Sequence, residues 1–142
     1  MRSIDFMRGL PDQVREILPA QWQHFNWRAR PWLVQLHYDD PALHYEVWNL
    51  GRRRGKLEIG YHFESKNRAL NTAMLRHYTR YLVEVQVHLG PDWIAEQWDK
   101  GWTKVYTTIP YENFTASYHT RVAGILAQAI TVLEPLRALI NG

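Results

Sequence analysis

The chain contains no cysteine, which excludes disulfide bonds and metal sites built from thiolates. It has no apolar run of the length that spans a membrane, so we expect no membrane partner. The first thirteen residues contain acids and a proline where a signal peptide needs an apolar stretch, which favours a cytoplasmic location. No segment is of low complexity, and 142 residues suffice for one domain with its own core. We therefore predict a single domain over residues 1–142.

Lysine is also scarce, because the cations comprise thirteen arginines and four lysines for a formal net charge of +3. The planar guanidinium group matches the geometry of phosphate and carboxylate, so an anionic partner such as nucleic acid is one interpretation. A GC-rich genome would produce the same bias with no function attached. Composition alone leaves both interpretations open.

The most informative pattern is the run from Leu57 to Lys66, in which apolar and polar residues alternate. Successive side chains of a strand point to opposite faces, so this run predicts one strand with an apolar face and an ionisable face. Residues 33–38 and 43–48 alternate in the same way and are separated by turn residues at 39–42. One register puts all their apolar residues on a single face. It pairs Trp48 with Glu58, Glu46 with Gly60, and His44 with His62.

Helical spacing surrounds these strands. Leu10 to Leu18 predict a first helix with Pro11 in its first turn, followed by a short helix from Pro19. Further along we predict one long helix over 67–89 that ends at Gly90-Pro91, a short helix carrying Trp93 and Trp98, a fourth strand over 102–109, and a long last helix from Phe114 with a kink or break at Pro135. The fold class is therefore α+β. We expect a four-stranded, mainly antiparallel sheet, formed by a three-strand meander plus one later strand, with two long helices packed on one face.

The opposite sheet face is predicted to carry a row of histidines, His37, His44 and His62, flanked by Glu46 and Glu64. Imidazole nitrogens and carboxylate oxygens are the donors that zinc, iron or nickel accept. Neighbouring strands lie about 4.8 Å apart, so adjacent members of the row could share one ion, whereas the outer two are roughly twice that distance apart. The row therefore predicts a metal site, with zinc as the representative ion.

The alternative interpretation of this row is a plain polar sheet face. Such a face would be either wet or covered by the aromatic N-terminal segment that contains Trp22 and Trp27. The sequence alone leaves this alternative open.

A second group of ionisable residues lies at the end of the same run, where Glu64-Ser65-Lys66 should approach Asp40. Two carboxylates can hold magnesium, and a nearby lysine could orient a water or stabilise a phosphorane-like transition state. An acid near the start of one strand and E-x-K on the next, within the order helix, three strands, helix, strand, resembles the PD-(D/E)xK restriction-endonuclease-like superfamily. The resemblance implies that Asp40 and Glu64 bind magnesium or manganese and that Lys66 assists phosphodiester hydrolysis.

The hairpin tip Arg52-Arg53-Arg54 is a candidate for phosphate contacts, with Lys56 as a fourth cation. A charged hairpin tip exposed to water is the alternative. The segment is no P-loop, because the spacing from Gly51 to Gly55-Lys56 is one residue short and no serine or threonine follows.

Three functions thus remain open from sequence. The first is a nuclease-like domain, active or degenerate, that binds nucleic acid. The second is a non-catalytic protein-interaction domain that self-associates as a homodimer through the open sheet face. The third is a histidine-ligated metal protein.

Overall fold

The computed structural model describes residues 1–140. Over this range the chain forms a six-stranded sheet with four α-helices and one short 3-10 helix. In chain order the elements are α1 (Ser3–Ile17), the 3-10 helix (Ala20–Trp22), β1 (Asn26–Arg30), β2 (Leu33–His37), β3 (Leu43–Asn49), β4 (Lys56–Phe63), α2 (Arg68–Arg80), α3 (Leu82–Leu89), β5 (Ile94–Asp99), β6 (Trp102–Pro110) and α4 (Ala116–Arg137).

The strands follow the order β1-β2-β3-β4-β6-β5, and every neighbouring pair is antiparallel. The register of β3 on β4 is the predicted one, since Trp48 faces Glu58, Glu46 faces Gly60, and His44 faces His62. The α+β class is confirmed, but the sheet has six strands where the sequence predicted four.

The two strands that sequence patterns missed are β1 and β5, which form the edges of the sheet. β1 is almost wholly exposed, so it has no alternation of apolar residues to reveal it. β5 replaces the predicted short helix. Trp93 is buried before the strand begins, whereas Trp98 projects from β5 onto the polar sheet face, so the two rings do not share a helical face.

The helices also differ from prediction at their ends. α1 begins at Ser3, so Pro11 lies within the helix rather than in its first turn. The fully buried side chains of Phe6, Met7, Leu10 and Val14 offset the hydrogen bond that Pro11 cannot make. The predicted helix over 67–89 is divided at Tyr81 into α2 and α3, while α4 continues through Pro135 to Arg137. Among residues 1–140, no helix combines the length and apolarity needed to cross a bilayer.

The core lies between the apolar sheet face and the helices. That face contributes buried side chains from β2, β3, β4 and β6, including Val34, Leu36, Tyr45, Val47, Leu57, Ile59, Tyr61, Phe63 and Val105. Tyr78 of α2 stacks on Phe63 with ring centroids 5.6 Å apart, and Tyr45 donates a hydrogen bond to Glu134 of α4 over 2.6 Å. Since one face is packed in this way, the histidine, glutamate and lysine side chains of β3, β4 and β6 project from the other.

Candidate metal centre

His44 and His62 lie directly opposite each other on β3 and β4, at the predicted positions. Their rings stack with centroids 5.7 Å apart, and the exposed fractions of the two residues are 3% and 0%. Glu46 follows two residues after His44 on the same strand face and is also buried. Two imidazoles and a carboxylate are therefore held together inside the protein, on a face whose polar character the sequence predicted.

The ligand atoms of these three residues converge on one point. One nitrogen of each histidine and one oxygen of Glu46 all lie within 4.8 Å of one another. His44 Nε2 is 3.3 Å from Glu46 Oε1, and His62 Nδ1 is 3.8 Å from Glu46 Oε2. Glu64, just beyond the end of β4, adds Oε2 at 3.0 Å from His62 Nδ1 and Oε1 at 3.6 Å from His44 Nε2.

The tautomer of His44 follows from its hydrogen bonding. Nδ1 lies 2.9 Å from the carbonyl oxygen of Pro41, which can only accept, so Nδ1 carries the proton and donates. In the neutral ring Nε2 then presents a bare lone pair. This atom is buried and has no hydrogen-bond partner among residues 1–140, and it lies 3.3 Å from Glu46 Oε1 and 3.6 Å from Glu64 Oε1. A lone pair that faces oxygens in a buried site calls for a cation between them.

His62 is fixed in the complementary way. Its Nε2 lies 2.6 Å from Glu58 Oε2, so the proton on this nitrogen is donated to a carboxylate. Its Nδ1 faces Glu64 and Glu46. Burial alone would lower the pKa of His62, but hydrogen bonds to Glu58 and Glu64 and the charge of Glu46 raise it to about 9. Without a metal the ring is thus an imidazolium, and a metal at Nδ1 would replace a proton.

Glu46 is held by a side chain outside the cluster. The amide of Gln35 on β2 donates to Glu46 Oε1 over 2.7 Å, and Arg28 of β1 donates in turn to Gln35 over 2.6 Å. Burial opposes ionisation of Glu46, yet His44, His62 and the Gln35 amide together hold the pKa of this carboxyl below its usual value. The carboxyl is therefore ionised and oriented, as a metal ligand must be.

The charges of the site leave an excess of negative charge. Lys104 of β6 donates to Glu58 Oε1 over 2.6 Å, and both side chains are buried. Glu46, Glu58 and Glu64 supply three carboxylates against this one ammonium. With both imidazoles neutral the net charge is two minus, which one divalent cation balances.

Gly60 provides the room in which these side chains meet. It lies between Glu58 and His62 on the same face of β4, so these two residues can hydrogen-bond across the position where a side chain would stand. A Cβ at position 60 would come within 2.4 Å of Tyr106 Cβ and 2.6 Å of the Val105 carbonyl oxygen. The close approach of β6 and the Glu58–His62 bond both depend on glycine here.

Tryptophans cover the site. Trp98 of β5 packs edge-on against His62 at 5.6 Å between centroids, and it also contacts Trp48 and Trp102 at 6.0 and 5.6 Å. A cavity of about 170 Å³ reaches Glu46 and Glu64 between these rings and Trp32. The centre of this face is therefore buried beneath tryptophans, whereas the alternative interpretation had it wet or covered by the N-terminal segment.

Trp22, one of the two aromatics expected to form that cover, packs against Tyr38 instead, with ring centroids 5.9 Å apart. The cover comes from strands that lie later in the chain.

Three of the residues predicted for metal or catalysis lie apart from this cluster. His37, at the end of β2, is half-buried and lies outside the group whose ligand atoms converge. The carboxylate of Asp40 accepts a hydrogen bond from the backbone N–H of Ala42 over 2.9 Å and so closes the turn before β3. Lys66 is exposed in the bend before α2.

Of the predicted nuclease residues, Glu64 alone belongs to the cluster, where it contacts both histidines. Arg52, Arg53 and Arg54 are exposed in the turn between β3 and β4, as a hairpin tip should be. Arg54 additionally lines a cavity of about 640 Å³.

The sequence did not predict the side chains that hold the ligands in place. These are Gln35, which donates to Glu46, Glu58, which accepts from His62, and Lys104, which donates to Glu58. Lys104 was on a predicted strand, but β6 is separated from its partner β4 by two helices and β5, so no local pattern fixes its register. The alternation of Lys104, Tyr106 and Thr108 with Val105 and Thr107 was the available signal.

In comparisons with known proteins, no protein-family model, no curated protein and no solved structure matches the chain.

Proposed function

We propose that this chain is a metal-binding protein whose site takes one divalent first-row transition ion. The ligands are His44 Nε2, His62 Nδ1 and a carboxylate oxygen of Glu46, with Glu64 as a fourth. The observation that carries the proposal is the buried Nε2 of His44, which has no hydrogen-bond partner among the described residues and lies 3.3 Å from Glu46 Oε1 and 3.6 Å from Glu64 Oε1.

The distances support a shared ion. Ligand atoms about 2.1 Å from zinc at tetrahedral angles lie about 3.4 Å from each other. The four separations between a histidine nitrogen and a carboxylate oxygen run from 3.0 to 3.8 Å. These separations are close to the spacing that ligands of one ion adopt, and one ligand atom from each of His44, Glu46 and His62 lies within 4.8 Å of the others.

The outer contacts also match a metal site. Each ligating imidazole donates its other N–H to an oxygen, His44 to the Pro41 carbonyl and His62 to Glu58. Such contacts fix the tautomer and orient the ring toward the ion. Two imidazoles with one or two carboxylates suit zinc or iron(II) and suit magnesium poorly, since magnesium prefers an all-oxygen shell.

Access from solvent distinguishes this site from a closed structural one. The cavity between the tryptophans reaches Glu46 and Glu64, so an exchangeable ligand could complete the coordination of the ion. A metal with one open position can polarise a bound water or substrate oxygen.

The direct test is a zinc titration of the metal-free protein by isothermal calorimetry. We expect one zinc per chain, and at least about tenfold weaker binding in the variant His44→Gln, which removes a ligand nitrogen. The variant His37→Gln is the matched control, because it makes the same chemical change on the same sheet face outside the cluster.

The proposal fails if the wild-type chain binds zinc, iron(II) and cobalt(II) no better than His44→Gln does. It also fails if His37→Gln weakens binding as much as His44→Gln, since the loss would then reflect the fold rather than the ligand.

The nuclease-like function stays a prediction, and two variants distinguish it from the metal site. Asp40→Asn keeps an oxygen for the Ala42 N–H but removes a carboxylate that a nuclease would need. A nuclease predicts magnesium- or manganese-dependent cleavage of DNA or RNA that Asp40→Asn and Lys66→Ala abolish. The metal site described above predicts unchanged zinc binding in both variants.

A further inference from the structure

A second, larger cavity lies beside the metal centre and has a different chemistry. Its volume is about 640 Å³, which is within the usual range of about 300 to 1,000 Å³ for small-molecule sites. It is lined by Trp48, Leu50, Arg54, Lys56, Glu58, Trp98, Lys104, Tyr106 and Thr108. Neither histidine of the metal centre belongs to this lining.

The lining is cationic. Arg54 and Lys56 are exposed at the rim, on the turn and the first residue of β4. Glu58 supplies the acid of this lining, and its carboxylate is already engaged by Lys104 and His62, each at 2.6 Å. The two rim cations therefore have no carboxylate of the cavity to pair with, so the cavity presents positive charge to a ligand.

Three aromatic rings form the walls. The ammonium of Lys104 lies 4.0 Å from the ring centroid of Tyr106 and 4.8 Å from that of Trp98, so it joins two walls through cation–π contacts. Tyr106 is held further by donating its hydroxyl to Glu96 over 2.6 Å. Trp48 contacts Trp98 at 6.0 Å between centroids. These rings are fixed in place before any ligand arrives, which lowers the entropic cost of binding.

We propose that this cavity binds a small organic anion with a planar ring. The ring packs against Trp48, Trp98 and Tyr106, since aromatic faces favour flat apolar partners. The anionic group, a carboxylate or a phosphate, is bound at the rim by Arg54 and Lys56, and the arginine can bind either group through two parallel hydrogen bonds. This binding site goes beyond the proposed metal function and does not depend on it.

The test uses calorimetric titration of the full chain with 2-naphthoate, 2-naphthyl phosphate and the neutral 2-naphthamide. We expect one of the two anions to bind at least about tenfold more tightly than the amide, and the tighter anion identifies the group recognised. Acetate and inorganic phosphate, which lack a ring, should bind much more weakly than either naphthyl anion.

Matched variants assign the binding to this cavity. Arg54→Gln should weaken binding of the tighter anion at least about tenfold, because it removes the charged, two-pronged contact of the guanidinium group. Arg53→Gln removes the same charge one residue away in the same turn, but from a side chain that does not line the cavity, and should leave affinity within about twofold. Arg53 and Arg54 are exposed in the turn, so we expect both variants to fold as the wild type does.

Three outcomes would overturn the proposal. One is equal affinity for the amide and the anions, or no binding of any of them up to about 1 mM. The second is equal weakening by Arg53→Gln and Arg54→Gln. The third is tighter binding of a ten-nucleotide oligothymidylate than of either naphthyl anion, with equal loss in both arginine variants, which would indicate a nucleic-acid surface.

The titrations are repeated with chelator and with zinc. Anion binding that persists in chelator supports this cavity even if zinc binding fails, and loss of anion binding leaves the zinc result unaffected. The two proposals therefore fail separately.

Discussion

At the scale of single residues, proton positions determine what the site can bind. The Pro41 carbonyl and the Glu58 carboxylate each accept an N–H from one imidazole, so the remaining nitrogen of each ring is directed at carboxylate oxygens. A buried imidazole nitrogen that faces a carboxylate oxygen needs a proton or a metal ion between the two atoms. His44 and His62 therefore stack on each other and also direct one nitrogen each at the carboxylates of the site.

Glu58 is expected to act on the metal through His62. Glu58→Gln weakens the acceptor for the His62 Nε2 proton, so zinc affinity should fall about 10- to 100-fold in a chelator-competition titration. Glu96→Gln is the matched control, because it lies on the same sheet face and can still accept from Tyr106. Equal zinc affinity in Glu58→Gln and the wild type would contradict the positioning role.

Glu134, which contacts Tyr45 on the apolar side of the sheet, should make the free energy of unfolding depend on pH. Burial raises the pKa of this carboxyl, although the hydrogen bond from Tyr45 and the charge of Arg137 oppose that shift. A raised pKa in the folded state means a contribution to stability that is complete below the reference value of 4.5 and is lost as pH rises through the folded pKa.

The variant Glu134→Gln should therefore not lose this contribution to stability as the pH rises. The free energy of unfolding of the variant, minus that of the wild type, should increase between pH 4 and pH 8, as measured by urea denaturation. Because all other titrating groups are shared, they cancel in this difference. A difference that is flat or falls with pH would contradict the account.

At the scale of elements, the sequence revealed the strands that alternate and missed those that do not. β2, β3 and β4 each bury one apolar face, so their register followed from the residues and with it the pairing of His44 with His62. β1 is nearly all exposed and β5 is an exposed edge, and neither carries that pattern.

The rest of the site depends on long-range pairing. Lys104 reaches Glu58 because β6 pairs with β4, and Trp98 covers His62 because β5 pairs with β6. Helical spacing, by contrast, predicted the presence of α1, α2 and α4 but not the division at Tyr81 or the start at Ser3. All four proposed ligands were therefore among the five residues that the local pattern predicted, whereas the tryptophans that cover the site were not predictable from it.

Among the glycines of residues 1–140, Gly60 leaves the least space for an added Cβ. Gly60→Ala places a methyl group 2.4 Å from Tyr106 Cβ in the middle of the sheet, so we expect a loss of about 1–3 kcal/mol or more in unfolding free energy. Gly124→Ala is the control. It lies in α4 with open space around the added carbon, and it should be neutral or stabilising by up to about 1 kcal/mol. Equal stability of the two variants would contradict the close strand approach.

At the scale of the whole molecule, the sheet separates two chemistries. One face packs on helices through apolar and aromatic side chains, and the other holds a charged cluster between strands and tryptophans. Since several strands contribute to the cluster, an ion that binds there links β3 to β4 and should stabilise the folded state as a whole. Self-association as a homodimer stays a prediction.

That linkage predicts a metal-dependent melting temperature. Zinc at 100 times its dissociation constant should add about 2.7 kcal/mol to the free energy of unfolding, and excess chelator should remove it. Differential scanning calorimetry of the wild type and His44→Gln measures both, and tenfold weaker binding in the variant should reduce the gain to about 1.4 kcal/mol or less at the same zinc concentration. A zinc shift of equal size in His44→Gln would place the ion elsewhere.

The most direct measurement is an anomalous difference map from crystals grown with zinc, collected at the zinc absorption edge. We expect one strong peak within about 2.0–2.2 Å of His44 Nε2, His62 Nδ1 and a Glu46 oxygen. A map with no peak between these atoms, or with its strongest peak beside Asp40 and Lys66 instead, would contradict it.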